Sequence, residues 1–118
     1  MQYTGVDIVE IARIEEAIDH WGDSFLERVY TASELKLFRR KTPSLAARFA
    51  AKEAVIKALN TRSIGLRDIE ILSDAGGRPR LHLHGRARRQ AARLGLDNLA
   101  ISLSHCRDYA VATATGQA

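Results

Sequence analysis

Cysteine, aromatic residues and long apolar runs are all scarce in this sequence, and each shortage excludes a class of protein. The single cysteine among 118 residues rules out an internal disulfide and fits a reducing compartment. Aromatic residues make up 6% of the chain, which argues against a platform that stacks single-stranded nucleic acid. No apolar run reaches the ~20 residues that a membrane-spanning helix needs, so we expect no membrane partner.

The first residues also show no basic segment followed by an apolar stretch, the pattern of a secretory signal. We therefore expect a cytoplasmic protein. The length, with 46% hydrophobic and 27% charged residues, predicts one domain over residues 1–118. A net charge of +4 favours an acidic partner, but it does not choose among nucleic acid, a membrane surface, polyphosphate and an acidic protein.

The spacing of apolar residues predicts an α+β fold with a mostly antiparallel sheet and a long central helix. The predicted helices cover residues 11–21, Thr31 to about Arg40, Thr42 to about Leu59, and 85–94. The predicted strands cover residues 2–10, 68–73, 80–84, 99–104 and 109–115. The first helix is expected to bury one face formed by Ile11, Ile14, Ala17, Ile18 and Trp21.

The long helix carries a carboxylate and an ammonium group four residues apart, Glu53 and Lys57. That spacing places them on one edge, about 40° apart in rotation and roughly 6 Å apart along the axis. Ala46 and Ala50 lie along the same edge, where small side chains would let a ligand approach. A carboxylate for a hard cation beside a lysine for phosphate suits a magnesium–phosphate substrate. The alternative is an ordinary ion pair on an exposed helix.

Two further cations, Arg48 and Lys52, project into the arc of this helix that should be apolar. Long basic side chains can extend along apolar surface to reach solvent. Each of these two therefore needs either a partner inside the protein or a route out of it.

Five motifs share their order and spacing with one known family. They are Gly5–Ile11, Phe25–Thr31 with Glu34, Arg48–Ala54 with Lys57–Leu59, Asp68–Ile71, and Ile101–His105 with Tyr109–Ala110. With these motifs the chain resembles the holo-acyl-carrier-protein synthases, the short, single-domain 4'-phosphopantetheinyl transferases. The resemblance extends over essentially the whole chain, and the helix motif is its most specific part.

The resemblance implies an enzyme that moves the phosphopantetheine arm of coenzyme A to a serine of an acyl carrier protein and releases adenosine 3',5'-bisphosphate. It implies Mg2+ held by Asp7 and Glu53, and catalysis by Glu53 and Lys57. The implied coenzyme A contacts are Arg48, Lys57, Ser104 and His105. It further implies carrier docking on basic residues, for which Arg13 and Arg28 are our candidates, and a homotrimer with sites between subunits.

The chain departs from the family pattern at several places, including an acidic first helix where the family usually has basic residues that contact the carrier. Tyr3 stands where a second glycine is usual, and Cys106 stands where threonine usually follows Ser-His. The usual Gly-Thr-Gly after the long helix is replaced by Asn60-Thr61-Arg62. Asparagine tolerates the left-handed backbone at a helix end, so Asn60 can replace the first glycine, whereas Arg62 puts the shape of the loop in question.

The sequence leaves the general base open and argues against one catalytic pair. The base for the carrier serine is either a metal-bound water near Glu53 or a carboxylate such as Glu34, which can equally complete a capping box with Thr31. Ser104 and His105 are adjacent on a predicted strand, so they point to opposite faces, and we expect no catalytic Ser–His pair.

Two rival functions fit part of the sequence. A nucleic-acid-binding module could use the basic helix that carries Arg86, Arg88, Arg89 and Arg93, but it leaves Asp7 and Glu53 without a role; we expect no nucleic acid partner. An assembly subunit that kept the fold and lost activity would explain Arg62 and the acidic residues in and after the first helix, which are Glu15, Glu16, Asp19 and Asp23. The identity of the carrier protein is not encoded in any motif.

Overall fold

The computed structural model describes residues 1–118 and confirms the α+β fold. The helices are α1 (Ile11–Trp21), α2 (Asp23–Val29), α3 (Ala32–Phe38), α4 (Thr42–Ala58) and α5 (Gly85–Leu94), with one 3₁₀ turn at Leu66–Asp68. The strands are β1 (Gln2–Glu10), β2 (Ile69–Ser73), β3 (Pro79–Leu83), β4 (Ala100–His105) and β5 (Tyr109–Gln117). No helix has the length and apolar character needed to cross a bilayer.

All strand pairs are antiparallel, as predicted, but they form two sheets. One sheet has the order β1-β5-β4, and the hairpin β2-β3 stands apart from it. Helix α4 is central, because its first half packs against α1, α2 and α3 while its second half packs against β5, β2 and α5. The long helix predicted from the sequence is therefore the element that joins the two parts of the core.

Helix α2 has no counterpart in the sequence prediction, which ended the first helix at Gly22 and assigned nothing to residues 23–29. Gly22 has φ 56, so the chain turns there and starts a new helix with no intervening loop. Seven residues are too few to show a full amphipathic repeat. Trp21 was expected on the buried face of the first helix, but it is 62% exposed, because α1 ends there, beyond the edge of the core.

The helix boundaries follow from local chemistry. Thr31 and Glu34 form the predicted capping box at the start of α3. Helix α4 starts at Thr42 itself, with Lys41 as the residue before the helix and Pro43 in its first turn. Asn60 follows α4 with φ 56, which confirms that it can occupy the left-handed position usually given to glycine.

Strand β1 and helix α4 approach each other so closely that their contact excludes a side chain. A Cβ atom added to Gly5 would lie 2.0 Å from the carbonyl oxygen of Ala54 and 2.9 Å from the amide nitrogen of Ala58. Ala46 and Ala50 are fully buried in the core. The expectation that these two alanines leave room for a ligand is therefore wrong, since they admit neighbouring parts of the protein instead.

The two cations predicted within the apolar arc of α4 are both buried and both have partners. Lys52 Nζ donates to Glu34 Oε1 at 2.8 Å and to the carbonyl oxygens of Leu66 and Ile69. The other carboxylate oxygen of Glu34 accepts from the amide of Ile71 at 2.8 Å. Burial lowers the pKa of Lys52, and the charge of Glu34 opposes that change. This pair joins α3, α4 and β2.

We expect Gly5→Ala to lower the free energy of unfolding by about 3 kcal/mol, because the added methyl group overlaps the backbone of α4. Gly65→Ala is the matched control. Gly65 has φ −73 and open space around its Cβ position, so we expect a change below about 1 kcal/mol. Urea denaturation measures both values. Equal effects would show that the β1–α4 contact is not tight.

We expect Lys52→Met to destabilise the fold by about 3–5 kcal/mol, because it leaves the buried carboxylate of Glu34 without a cation. Adding Glu34→Gln should recover part of this loss by removing the uncompensated charge. The control is Lys36→Met on the exposed side of α3, which should change stability little. Urea denaturation measures both changes in the free energy of unfolding. An equal loss in Lys52→Met and Lys36→Met would contradict a stabilising role for the buried Lys52–Glu34 pair.

Candidate functional site

Residues fifty positions apart in the sequence meet where β1 crosses α4. Lys57 Nζ donates to Asp7 Oδ1 at 3.0 Å and to the carbonyl oxygen of Val6 at 2.9 Å. Asp7 faces α4 because the side chains of β1 alternate, and Gly5 points the same way two residues earlier. The close approach at Gly5 therefore places the carboxylate of Asp7 against the last turns of the helix.

Glu53 belongs to the same group of charges. Its pKa is raised, first by partial burial and then by the negative charge of Asp7, while Lys57 and Arg62 act in the opposite direction. Two carboxylates that repel each other in this way are stabilised by a cation between them. No third histidine, cysteine or carboxylate joins them, and Mg2+ commonly binds one or two carboxylates and takes its other ligands from water and substrate phosphate. The donor set thus fits Mg2+.

An open pocket of about 390 Å³ lies beside these charges. Its lining residues are Glu53, Ile56, Lys57, Asn60, Thr61 and Arg62. Lys57 keeps 52% of its side chain exposed, so its ammonium group is available to an anion in the pocket. Arg62, which the sequence presented as a difficulty for the loop, adds a second cation to the lining. The arrangement offers carboxylates for a metal and cations for a phosphate within one cleft.

Asn60, Thr61 and Ile56 were not among the residues proposed from the sequence. Their signal was their spacing in the sequence, because Ile56 comes three residues after Glu53 on the helix, and Asn60 and Thr61 come three and four residues after Lys57, where the helix ends. The carbonyl oxygen of Val6, which holds Lys57, carries no sequence signal at all, because every residue has such an oxygen.

Arg48 is not brought into this cleft within one chain. Its Nε donates to the carbonyl oxygen of Ile71 at 3.0 Å and one terminal nitrogen to Ser73 Oγ at 3.0 Å. The guanidinium carbon lies 3.6 Å from the ring centre of Phe38. Burial lowers the pKa of Arg48. These contacts attach α4 to β2, and the coenzyme A contact expected for Arg48 stays a prediction.

Ser104 and His105 end β4 and point to opposite faces, as the alternation predicts. Ser104 lies in the row of Ile8 and Val111, on the face of the sheet away from α4. His105 lies in the row of Val9, on the α4 side, and β5 separates it from β1. Two strand spacings amount to roughly 10 Å. Neither residue therefore contacts Asp7 within one chain.

The two arginines proposed for carrier docking lie on neighbouring exposed helices. Arg13 on α1 is mostly exposed, and its Nε is 3.8 Å from Glu10 Oε1. Arg13 and Trp21 line a wide open hollow of about 800 Å³ on this helix. Arg28 is exposed on α2. Both arginines are open to a partner, and neither lines the pocket beside Glu53.

Glu34 is not available as a base for an incoming substrate. Its side chain is fully buried, and its oxygens accept hydrogen bonds from Lys52, from the amide of Thr31 and from the amide of Ile71. The sequence left Glu34 as either a base or part of a capping box with Thr31, and the structure contains the capping box.

The sequence matches proteins of one family along nearly its full length. A model of the 4'-phosphopantetheinyl transferase superfamily matches residues 3–114. The holo-[acyl-carrier-protein] synthase of Dehalococcoides mccartyi strain CBDB1 is 51% identical over 99% of both chains. The protein of the same name from Moorella thermoacetica is 48% identical, with 97% of this chain and 92% of that one covered.

Solved structures show the same likeness in three dimensions. The holo-[acyl-carrier-protein] synthase of Helicobacter pylori, crystallised in complex with coenzyme A, superposes with a TM-score of 0.87 at 32% identity, covering 97% of this chain and 99% of that one. The Neisseria meningitidis synthase gives a TM-score of 0.88 at 32% identity over 98% of each chain. Sequence and fold agree along the whole length: the chain belongs to the 4'-phosphopantetheinyl transferase superfamily and, within it, to the holo-acyl-carrier-protein synthases.

Proposed function

We propose that the protein transfers the 4'-phosphopantetheine arm of coenzyme A to a serine of an acyl carrier protein, with Mg2+, and releases adenosine 3',5'-bisphosphate. The observation that carries this proposal is the convergence of Asp7, Glu53 and Lys57 beside an open pocket. Two carboxylates and an exposed lysine are the groups that a magnesium-bound diphosphate requires. The coenzyme A complex of the Helicobacter pylori relative supports the choice of donor.

In this proposal Asp7 and Glu53 hold the metal, which supplies positive charge to the diphosphate of the donor. Lys57 donates to Asp7 in the structure, and its flexible side chain can turn from that carboxylate to a phosphate oxygen. Arg62 lies in the same lining and adds charge on that side. The site thus contributes positioning and charge neutralisation, which supply most of the catalysis in phosphoryl transfer.

The proposed reaction is an exchange of one phosphorus–oxygen bond for another. The serine oxygen of the carrier forms a bond to the β-phosphorus of coenzyme A, and the bond from that phosphorus to the bridging oxygen breaks. The negative charge that leaves with adenosine 3',5'-bisphosphate is the charge that Lys57 is placed to meet. The serine proton passes to a water on the Glu53 side of the pocket, since Glu34 is buried and fully bonded.

We also propose that the protein is a homotrimer with sites between subunits. Support comes from the face of the three-stranded sheet away from α4, which no other element covers. On this face Val6 is 56% and Ile8 62% exposed. Ser104 lies in the same row as Ile8, so another copy packed on this face would meet Ser104. A role for Ser104 in coenzyme A binding then requires a neighbouring subunit.

The carrier protein is proposed to dock on α1 and α2 through Arg13 and Arg28. The acidic residues of this region are partly neutralised within the chain, because Arg39 pairs with Asp23 at 2.7 Å. Exposed arginines without a close bidentate partner speed the approach of an acidic protein by long-range attraction. We propose a cytoplasmic location, supported by the single, exposed and unpaired Cys106.

The transfer is tested by mass spectrometry of an apo acyl carrier protein incubated with coenzyme A, Mg2+ and this protein. We expect the carrier to gain the mass of the phosphopantetheine arm, and a chelator should stop the reaction until Mg2+ is restored. Asp7→Asn and Glu53→Gln should each lower the rate about 10²- to 10³-fold, as loss of one charge-stabilising group commonly does.

Asp97→Asn is the matched control for these two variants, because Asp97 is exposed and lies outside the pocket. Its rate should equal that of the wild type. Wild-type turnover and metal dependence in both site variants would refute the metal assignment. An unmodified carrier with the wild-type protein would refute the proposed reaction itself.

The assembly is tested by light scattering coupled to size-exclusion chromatography. We expect the wild type to elute with the mass of three chains and Ile8→Asp to elute as a monomer, because the substitution places a charge in the apolar part of the open sheet face. Leu37→Asp is the control, since Leu37 is 47% exposed but lies on α3. Loss of the trimer in both variants, or a monomeric wild type, would contradict the proposed interface.

A further inference from the structure

A second basic pocket adjoins the candidate site, and the transfer reaction proposed above gives it no role. It is a hollow of about 230 Å³ lined by Thr61, Ser63, Ile64, Arg86, Arg89, Gln90 and Arg93. Thr61 lines this hollow and the pocket beside Glu53 as well, so the two are neighbours. We call the second hollow the arginine pocket.

The three arginines converge because of their spacing on α5. Positions 86, 89 and 93 are separated by three and four residues, which places them on one face of a helix. Arg88 falls outside this face and lines a different hollow together with Leu81 and Leu83. The basic helix noted in the sequence therefore divides into a face of three arginines that share a pocket and one arginine that does not.

Hydrogen bonds hold the walls of the arginine pocket in position. Gln90 Nε2 donates to the carbonyl oxygen of Leu59 at 2.9 Å, and Arg93 donates to Gln90 Oε1 at 3.1 Å. Arg86 reaches the carbonyl oxygen of Ser63 at 3.4 Å. Each of these two guanidinium groups uses one N–H in this way, and a guanidinium has five. Most donors in the pocket thus remain free for a ligand.

The charges of the arginine pocket are not balanced within the chain. The ion pairs of the protein include none with Arg86, Arg89 or Arg93. The C-terminal end of α4 carries partial negative charge, which attracts cations. Its carbonyl oxygen at Leu59 already accepts a hydrogen bond from Gln90, so it does not pair with one of the arginines. The carboxylate of Asp68 lies near Gly85, which directly precedes Arg86, but it forms no ion pair with that arginine. Three converging cations repel one another unless an anion joins them.

We propose that the arginine pocket binds a phosphate dianion. Guanidinium groups bind phosphate through paired N–H donors. The hydroxyl groups of Thr61 and Ser63 bond to each other at 3.1 Å, which leaves the proton of one of them free to donate to phosphate. A concave hollow suits a single phosphate group better than a flat basic surface does. The phosphate can belong to a free phosphate compound in solution, or to the terminal 3'-phosphate of the donor if the proposed function holds.

The test is an NMR titration of the full-length protein with inorganic phosphate at constant ionic strength. We expect saturable shifts in the amides of residues 61–63 and 86–93. Arg89→Ala and Arg93→Ala should each weaken the affinity about tenfold, the effect of losing one charge-assisted contact. Arg88→Ala removes the same charge from the same helix outside the pocket, and it should change the affinity less than about twofold.

Equal weakening by Arg88→Ala would overturn the proposal, since it would show attraction to a basic surface instead of a pocket. Absence of saturable shifts in residues 86–93, or identical shifts with chloride, would overturn it as well. This titration contains no coenzyme A, so its result is independent of the proposed transfer reaction.

Binding of coenzyme A and of its 3'-dephospho form then identifies the source of the phosphate. If Arg89→Ala weakens binding of coenzyme A but not of the 3'-dephospho form, the pocket holds the 3'-phosphate of the donor. If the variant loses inorganic phosphate but binds both donors like the wild type, the pocket holds a separate phosphate compound. Either result supports a phosphate site.

Discussion

The contact between β1 and α4 determines the geometry of the candidate site. Gly5 has no side chain, so the backbone of the strand lies against the carbonyl oxygen of Ala54. Two residues further along the strand, Asp7 comes within hydrogen-bonding distance of Lys57. A strand held farther away would separate Asp7 from Lys57 and Glu53. The arrangement of charged groups in the cleft therefore depends on residue 5 having no side chain.

Helix α4 carries charged residues for two different purposes on two different sides. Toward α3 and β2, Lys52 and Arg48 are buried and hydrogen-bonded to these neighbouring elements. Toward solvent, Glu53 and Lys57 border an open pocket. Burying Lys52 with Glu34 costs desolvation energy, which the attraction between these two charges and their hydrogen bonds must offset. Glu53 and Lys57 keep acceptors and donors accessible from this pocket, so their position on α4 separates them from the buried cations of the same helix.

Sequence patterns predicted most of the elements and part of the site. The alternation of β1, the capping box at Thr31 and the left-handed Asn60 all follow from local sterics and local hydrogen bonds, which a short stretch of sequence specifies. Helix α2 was missed because seven residues carry too little periodicity. The separation of the β2-β3 hairpin from the main sheet was missed as well, because antiparallel pairing in a hairpin looks the same whether or not other strands join it.

The sequence by itself determined which groups are present: two carboxylates, a lysine at helical spacing, and a motif pattern that identifies the family. Only the tertiary structure decided which of these groups meet. Arg48 turned into the core and Ser104 to the open face of the sheet, whereas Arg62 came to line the cleft. The physical reason is that local rules act over a few residues, while the meeting of Asp7 with Lys57 depends on how closely a strand and a helix pack, which is set by side chains far apart in the chain.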